Sequence, residues 1–487
     1  MLGKEKEQGD FFDDYVYSGL LPEEDTLLSI AGLVDFGFVE EEVADLYSED
    51  RGRPSYPPVV LFKMLFLEHY ANLSDVEVSK QCRYNLLYRA FVGLGVSDPT
   101  PDDTTLVVFR ARLGEERFER LFERVVEQAQ GAGLLQERLK IVDATHLIAD
   151  VAVPNTVNLL RQGRRRVLKR LDRVNRKATR ELEGRYLQER KAYGKPSQED
   201  LADEVELTQA FLGEVKGKYG GKVDEEIEVI EKILEPQQGG KIRSVVDPEA
   251  RYGMKRKDQP FLGYKVHASQ DESGLVTSLD VLPGNEPEGS SPYLRRLVEK
   301  DEEKGVHHQG VVADALYDSA ENRLLAKGYG MEAYIPNRTH QRQGDQFLYD
   351  PQMDQVWCQG GKHSVGKIRQ EQGELYYFSA SDCQACPVRT RCVKQNEGRA
   401  RVYLSDDHKM RMKVDPEAKR EALRVRKAIE RKFGEAKKWH GLARARYRTR
   451  ARVAVQAFLV FIVMNLKRMV KLLLPRERLR ESAAGYR

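Results

Sequence analysis

Residues 139–143 read LKIVD, and residues 311–314 read VVAD. Each is a short apolar run that delivers an aspartate, Asp143 or Asp314, at its end. Runs of this length read as buried strands. A carboxylate at the tip of a buried strand is held rigidly and is well placed to bind a hard cation. The plainer reading is that each aspartate simply opens a turn.

Outward from these two strands, GYKVHASQ (263–270) and LVTSLDVLP (275–283) flank Glu272-Ser273-Gly274, a hairpin signature. Lys265 and His267 alternate on the first of these, so they share a face, which turns either to the acids or to solvent. A helix at about 290–303 leads into VVAD, Asp318-Ser319-Ala320-Glu321 caps the next helix, and MEAYIP (331–336) adds a further strand. This order predicts an α/β fold: a mixed sheet flanked by helices, with a charged helical insertion at 157–239 and an irregular cysteine-rich insertion at 341–400. No internal repeat, P-loop or strand-borne GxGxxG is present, so nucleotide-driven chemistry has no support.

From about Glu417 the chain is helical and basic. Ala422, Val425, Ile429, Phe433 and Ala436 form one apolar stripe at helical spacing. Arg426, Glu430 and Lys437 form a second stripe beside it, within roughly 40° of one another at about 100° per residue. A helix lying on a sheet would deliver Glu430 to the strand tips from this rim. The alternative is an exposed Glu/Lys network. Trp439 and His440 follow, where an aromatic either stacks on an extruded base or packs at the helix end. In-line cleavage of a phosphodiester needs an activated water and a stabilised leaving oxygen, and two Mg²⁺ ions about 4 Å apart supply both.

Charge points the same way. The 487 residues carry a net charge of only +3, unevenly spread. Residues 1–50 hold fifteen acids against Lys4 and Lys6, whereas 421–487 hold nineteen Lys/Arg against five acids. Residues 161–180 hold ten Lys/Arg against Asp172 alone. Such asymmetry suits a polyanionic partner, most often nucleic acid. The basic arm either lies along phosphates or pairs with the acidic helices at about 197–215 and 224–235. The longest apolar stretch, Val453–Leu474, is interrupted by Gln456, Asn465, Lys467, Arg468 and Lys471, which predicts a buried helix and no membrane span. The charged opening MLGKEKEQGD and the five cysteines predict a reducing cytoplasm rather than a disulfide scaffold. Cys358, Cys383, Cys386 and Cys392 are spaced as C-x₂₄-C-x₂-C-x₅-C, which fits a structural Zn²⁺ site with His363 as a possible substitute ligand; Cys82 stands apart.

Several motifs together resemble the DDE transposases of bacterial insertion sequences, whose core is RNase H-like. They are VDATH around Asp143, FLGYKVH (261–267), LPGN (282–285), VVADALYDS around Asp314, and IERKFGEAKKWHGLARARYRTRARV from Ile429. Arg426-x₃-Glu430-x₆-Lys437 is similar to the R, E and K of the Y-R-E-K signature, with Leu423 at the tyrosine position. RPSYPPVVLFKMLFLEHYANLSDVEVSKQCRYN with DDTTLVVFRARL resembles the family's helical N-terminal domain.

The resemblance implies metal ligation by Asp143, Asp314 and Glu430 (Mg²⁺ or Mn²⁺) and phosphate contacts from Arg426 and Lys437, with Lys265, His267, Trp439 and His440 as further candidates. It implies cleavage at the element's terminal inverted repeats, joining of the 3′ ends to target DNA, and a homodimer assembled on double-stranded DNA near the nucleoid. A transposase-fold DNA-binding protein that no longer cuts, and an RNase H-like nuclease without strand transfer, are the alternatives. The expected organisation is an acidic segment (1–50), a helical DNA-binding or dimerisation domain (51–136), a catalytic core in three pieces (137–156, 240–340, 401–475) broken by the two insertions, and a basic tail (476–487).

Overall fold

The computed structural model describes residues 2–3, 11–22, 24–48, 54–151, 156–187, 198–235, 242–256, 259–336, 347–393 and 397–474. The basic tail, with Lys4, Lys6 and Asp10 of the acidic segment, lies outside the described residues.

The central sheet holds β1 (Leu139–Ile148), β2 (Arg251–Arg256), β3 (Gln259–Gln270), β4 (Val276–Pro283), β5 (Gly310–Val312) and β6 (Glu332–Tyr334). The hairpin partners β3 and β4 are antiparallel, β3 runs antiparallel to β1 and β2, and β5 and β6 continue parallel to β1. From the hairpin outward the order is β4–β3–β1–β5–β6, with β2 also on β3. This is the RNase H-like mixed sheet that the motifs imply.

Alternation along the strands assigns the two faces. Val142, Val311 and Ala313 pack beneath the helices Ser291–Glu303 and Ala320–Gly328. Ile141 and Leu147 of β1, with Val266 and Ala268 of β3, face the other way and join the core containing Ile429, Phe433 and the helix Arg450–Leu473.

That last helix is apolar all round, as a helix at the centre of a fold must be. Val453 to Leu466 are all buried. It touches β4 and the helices Thr26–Leu33, Pro58–Tyr70 and Asp103–Gly131. Two polar interruptions of its sequence are internal bonds: Asn465 exchanges two hydrogen bonds with the Val276 backbone, at 2.9 and 2.8 Å, and Gln456 binds the backbone of Gly441, Arg444 and Arg446. It is the one helix among the described residues long and apolar enough to cross a membrane, and it is mostly buried inside the molecule.

The N-terminal helices form as the sequence predicts from Pro58 on, with the Ser74–Glu77 capping box in place. The long helix Asp103–Gly131 bends at Gly114, whose φ of 66° breaks the helical run. The expectation of a separate acidic segment over 1–50 needs correction. Thr26–Leu33 and Phe38–Val43 are helices, and Leu27, Ile30, Phe38, Val39 and Val43 share the main core. Their acids lie on the outer side of an amphipathic unit, so charge alone hid the stripe.

The charged insertion is a four-helix unit, Thr156–Leu171, Arg176–Tyr186, Gln198–Val215 and Asp224–Leu234, with its own core around Leu160, Leu168, Phe211 and Ile230. The cysteine-rich segment is not irregular. It contains a two-stranded sheet, β7 (Phe347–Asp350) and β8 (Gln355–Cys358), and a three-stranded one, β9 (Gly366–Gln370), β10 (Gly373–Tyr377) and β11 (Arg401–Ser405). Tyr349, Val356, Tyr376 and Phe378 fill a small core between them. The unit therefore extends past residue 400 to close β11 onto β10.

Candidate active site

Asp143 sits on β1 in register with Ala268. It shares the face of Ile141 and Leu147, where the late helices pack. Asp314 follows β5 in extended backbone, two residues beyond Val312. Val312 packs on Leu139 and Ala422, which turns Asp314 to the same face. Glu430 comes from the helix Lys427–Trp439, whose Ile429, Phe433 and Ala436 are buried as the apolar stripe predicts. The preceding helix, Pro416–Val425, ends at Arg426, which keeps helical dihedrals, so the two helices run on almost as one.

Arg426 ties the site together. Its guanidinium reaches Asp143 Oδ2 at 3.4 Å and Glu430 Oε1 at 2.5 Å. Asp143 is 17% exposed and Glu430 49%. Burial pushes the Asp143 carboxyl up to about 6. The Ala144 N–H and Arg426 oppose that shift, while the negative charges of Asp314 and Glu430 add to it. Asp314 and Glu430 thus both act on the charge of Asp143. Each also does conventional work: Asp143 accepts the Ala144 N–H, and Asp314 caps the short turn at Ala315 through the Leu316 N–H, both at 2.8 Å. Among the described residues no three His, Cys, Asp or Glu side chains are grouped as a metal site. Arg426 lies between two of the acids instead.

Lys437 stands one side-chain length from β1, with Nζ 3.3 Å from Nδ1 of His146. Burial, together with Lys255, holds the lysine down to about 8. Burial first, then Lys437 and Lys255, holds His146 down to about 4, so the ring is neutral and accepts from the ammonium. Leu423, at the tyrosine position of the signature, packs against the small cluster of Leu139, Val312 and Ala422.

The other expected DNA contacts are placed differently. Lys265 and His267 do share a face, but register with His146 and Ala144 puts them on the opposite face from Asp143. Lys265 is paired with Glu288 at 2.5 Å. His267 is buried and stacks on Tyr317 with ring centroids 5.8 Å apart. His440 is also buried, its Nδ1 2.9 Å from the His69 carbonyl. Neither histidine presents a nitrogen to solvent, because each fills a core position. Trp439, by contrast, is 58% exposed, with Lys438 Nζ 4.6 Å from its ring centre.

Sequence reasoning passed over Tyr317 and His146. Tyr317 is fully buried, its hydroxyl has no hydrogen-bond partner among the described residues, and burial with the charges of Asp143, Glu288 and Asp314 raises its pKa strongly. The signal was available: both residues lie three positions beyond an aspartate of the set.

The four late cysteines lie in one small unit, but among the described residues they are not grouped as a metal site. Cys358 ends β8, Cys383 lies in the turn Ala380–Gln384, and Cys392 ends the turn Arg389–Cys392. A Cβ on Gly360 would lie 3.2 Å from Cys386 Sγ and 3.6 Å from Cys358 Sγ, so those two sulfurs flank one glycine. Burial, then the charges of Cys358, Cys386 and Cys383, raises the Cys392 thiol. His363 instead meets the edge of Trp357, and Cys82 is buried in the N-terminal helices.

Residues 15–112 match the family model of a transposase domain, DUF772, and residues 355–470 match that of a transposase DDE domain. The second match includes Glu430 and the cysteine-bearing sheets, while Asp143 and Asp314 lie outside both. No curated protein and no solved structure matches the chain.

Proposed function

We propose that the chain, which matches a transposase domain at residues 15–112 and a transposase DDE domain at 355–470, is a DDE transposase that cuts DNA at the ends of an insertion sequence and joins the freed 3′ ends to target DNA at a single site. The observation that carries this reading is that Arg426 bridges Asp143, in the middle of β1, and Glu430, on the helix Lys427–Trp439, while the charges of Asp314 and Glu430 both act on Asp143.

Asp143, Asp314 and Glu430 would hold divalent metal, Mg²⁺ or Mn²⁺. The donor set fits: all three offer hard carboxylate oxygens, and the negative charges of Asp314 and Glu430 beside buried Asp143 would favour a cation there. A metal held by these carboxylates would supply activation of the attacking oxygen and stabilisation of the leaving one. The chain's own residues do the rest. The sheet fixes the two aspartates, and the helix Lys427–Trp439 brings the glutamate. Arg426, released from the acids, and Lys437 would each hold a phosphate oxygen of the scissile strand. Exposed Trp439 lies on the same helix and offers a stacking surface to a base at the cleavage point. Cys358, Cys383, Cys386 and Cys392 would supply four thiolates to a structural Zn²⁺. Assembly as a dimer on paired ends belongs to the same reading.

The test is a strand-transfer assay. Duplex carrying the element's end, labelled at its 3′ strand, is incubated with plasmid and Mn²⁺ or Mg²⁺. Label joined to plasmid supports the reading. Cutting without joining points to a nuclease, and binding without cutting to a regulator that has kept only the fold.

A further inference from the structure

The helical insertion sorts its charges by side. Leu160, Val167, Leu168 and Leu171 of the helix Thr156–Leu171 are buried in the insertion's core. Two of its arginines turn toward the acidic helix Gln198–Val215: Arg161 reaches Glu204 at 2.9 Å, and buried Arg164 binds Glu204 and Thr208. Arg165, Arg166, Lys169, Arg170 and Arg173 remain exposed on the other side. Arg176, Lys177 and Arg180 of the next helix are exposed as well.

These charges are hardly neutralised. Arg166 and Arg170 donate to the backbone carbonyls of Val245 and Lys222, which position a guanidinium without cancelling its charge. Asp172, the one acid within 161–180, is 3.6 Å from Arg176 across an exposed pair. Two acids of the neighbouring helices are paired elsewhere, Glu214 with Arg185 and Glu231 with Lys216. A helix of 16 residues is about 24 Å long, enough to follow about seven base pairs of duplex.

We propose that this basic face is a docking surface for the phosphate backbone of double-stranded DNA, separate from the cleavage site and indifferent to sequence. The proposal rests on the transposase reading for its choice of polyanion, but it can fail alone. Indifference to sequence is the expected outcome, because exposed cations spread along a helix can follow phosphates whatever the bases.

The test uses the full chain without metal. Fluorescence anisotropy measures binding of an end duplex and an unrelated duplex across a salt series, for the wild type and for R165A/K169A. A second variant, R173A/K177A, guards against local misfolding, which circular dichroism would reveal. Each lost phosphate contact lowers the slope of log K against log salt by about 0.9. The expected result is a slope lower by about 2 and about tenfold weaker binding at low salt, equal for both duplexes. Metal-dependent cutting at saturating protein should be unchanged. Unchanged affinity and slope in both variants overturn the proposal while leaving the cleavage reading intact. So does a loss confined to the end sequence, or binding of a polyglutamate peptide in place of duplex. A wild-type chain that binds no duplex overturns both.

Discussion

At Asp143 the cost of the site is measurable without any substrate. Its carboxyl titrates at about 6 in the folded chain against an ordinary 3.8. Protonation therefore favours the folded state. The stabilisation is fully present below about 3.8 and is lost as pH rises through about 6. Asp143→Asn should raise stability at pH 7–8 by about 2 kcal/mol and flatten that part of the pH profile, read from thermal melts in chelator. An unaltered profile would show that the carboxylate is not strained in this way. The residues of this site were unequally legible in the sequence. Asp143 and Asp314 announced themselves because an apolar run ended on each. Lys265 and His267 could be assigned to a common face by alternation, but only the pairing of His267 with Ala144 says which face. Register is a property of two strands and cannot be read from one.

Among the elements, the helix Pro58–Tyr70 is locked to the segment after the glutamate helix by buried charge. Glu68 lies 2.8 Å from Arg446 and 3.0 Å from Arg110, and Arg110 also binds Asp75. Arg450 adds a bidentate pair with Glu115. Arginines in a basic run that looks made for phosphates are thus spent on holding the N-terminal helices to the core. Glu68→Ala leaves two guanidinium groups short of a buried partner and should cost about 3 kcal/mol in chemical denaturation; a cost below about 0.5 kcal/mol would make the network ornamental. The run ARARYRTRAR reads as uniformly basic, and only the fold separates Arg446 and Arg450 from the rest. The cysteine segment was misread for a related reason: its strands are four or five residues long, too short for alternation to stand out. Whether its thiols hold zinc is a matter of metal analysis. About one zinc per purified chain is expected, and C383S/C386S should lose it; a zinc-free wild type would refute the assignment.

Across the whole molecule, one hydrophobic cluster runs from Leu27 through the sheet to Val470. The helix Arg450–Leu473 is its axis, with Phe458 against Phe122 of the long N-terminal helix, ring centroids 5.8 Å apart. Phe458→Ala should cost about 4 kcal/mol and lower the melting of the N-terminal helices and the sheet together; separate transitions would mean the two parts are merely adjacent. The fold class was legible because the order of strands and helices survives in the apolar runs, whereas the sharing of one core by chain segments more than 400 residues apart leaves no local trace.

The central claim is that residues 143, 314 and 430 form one cleavage site. Single-turnover cutting of a labelled end duplex with Mn²⁺, compared between the wild type and Glu430→Gln, tests it most directly. The expected result is a fall of about 1000-fold, ~4 kcal/mol, with duplex binding unchanged. Cutting by Glu430→Gln at the wild-type rate would contradict the account.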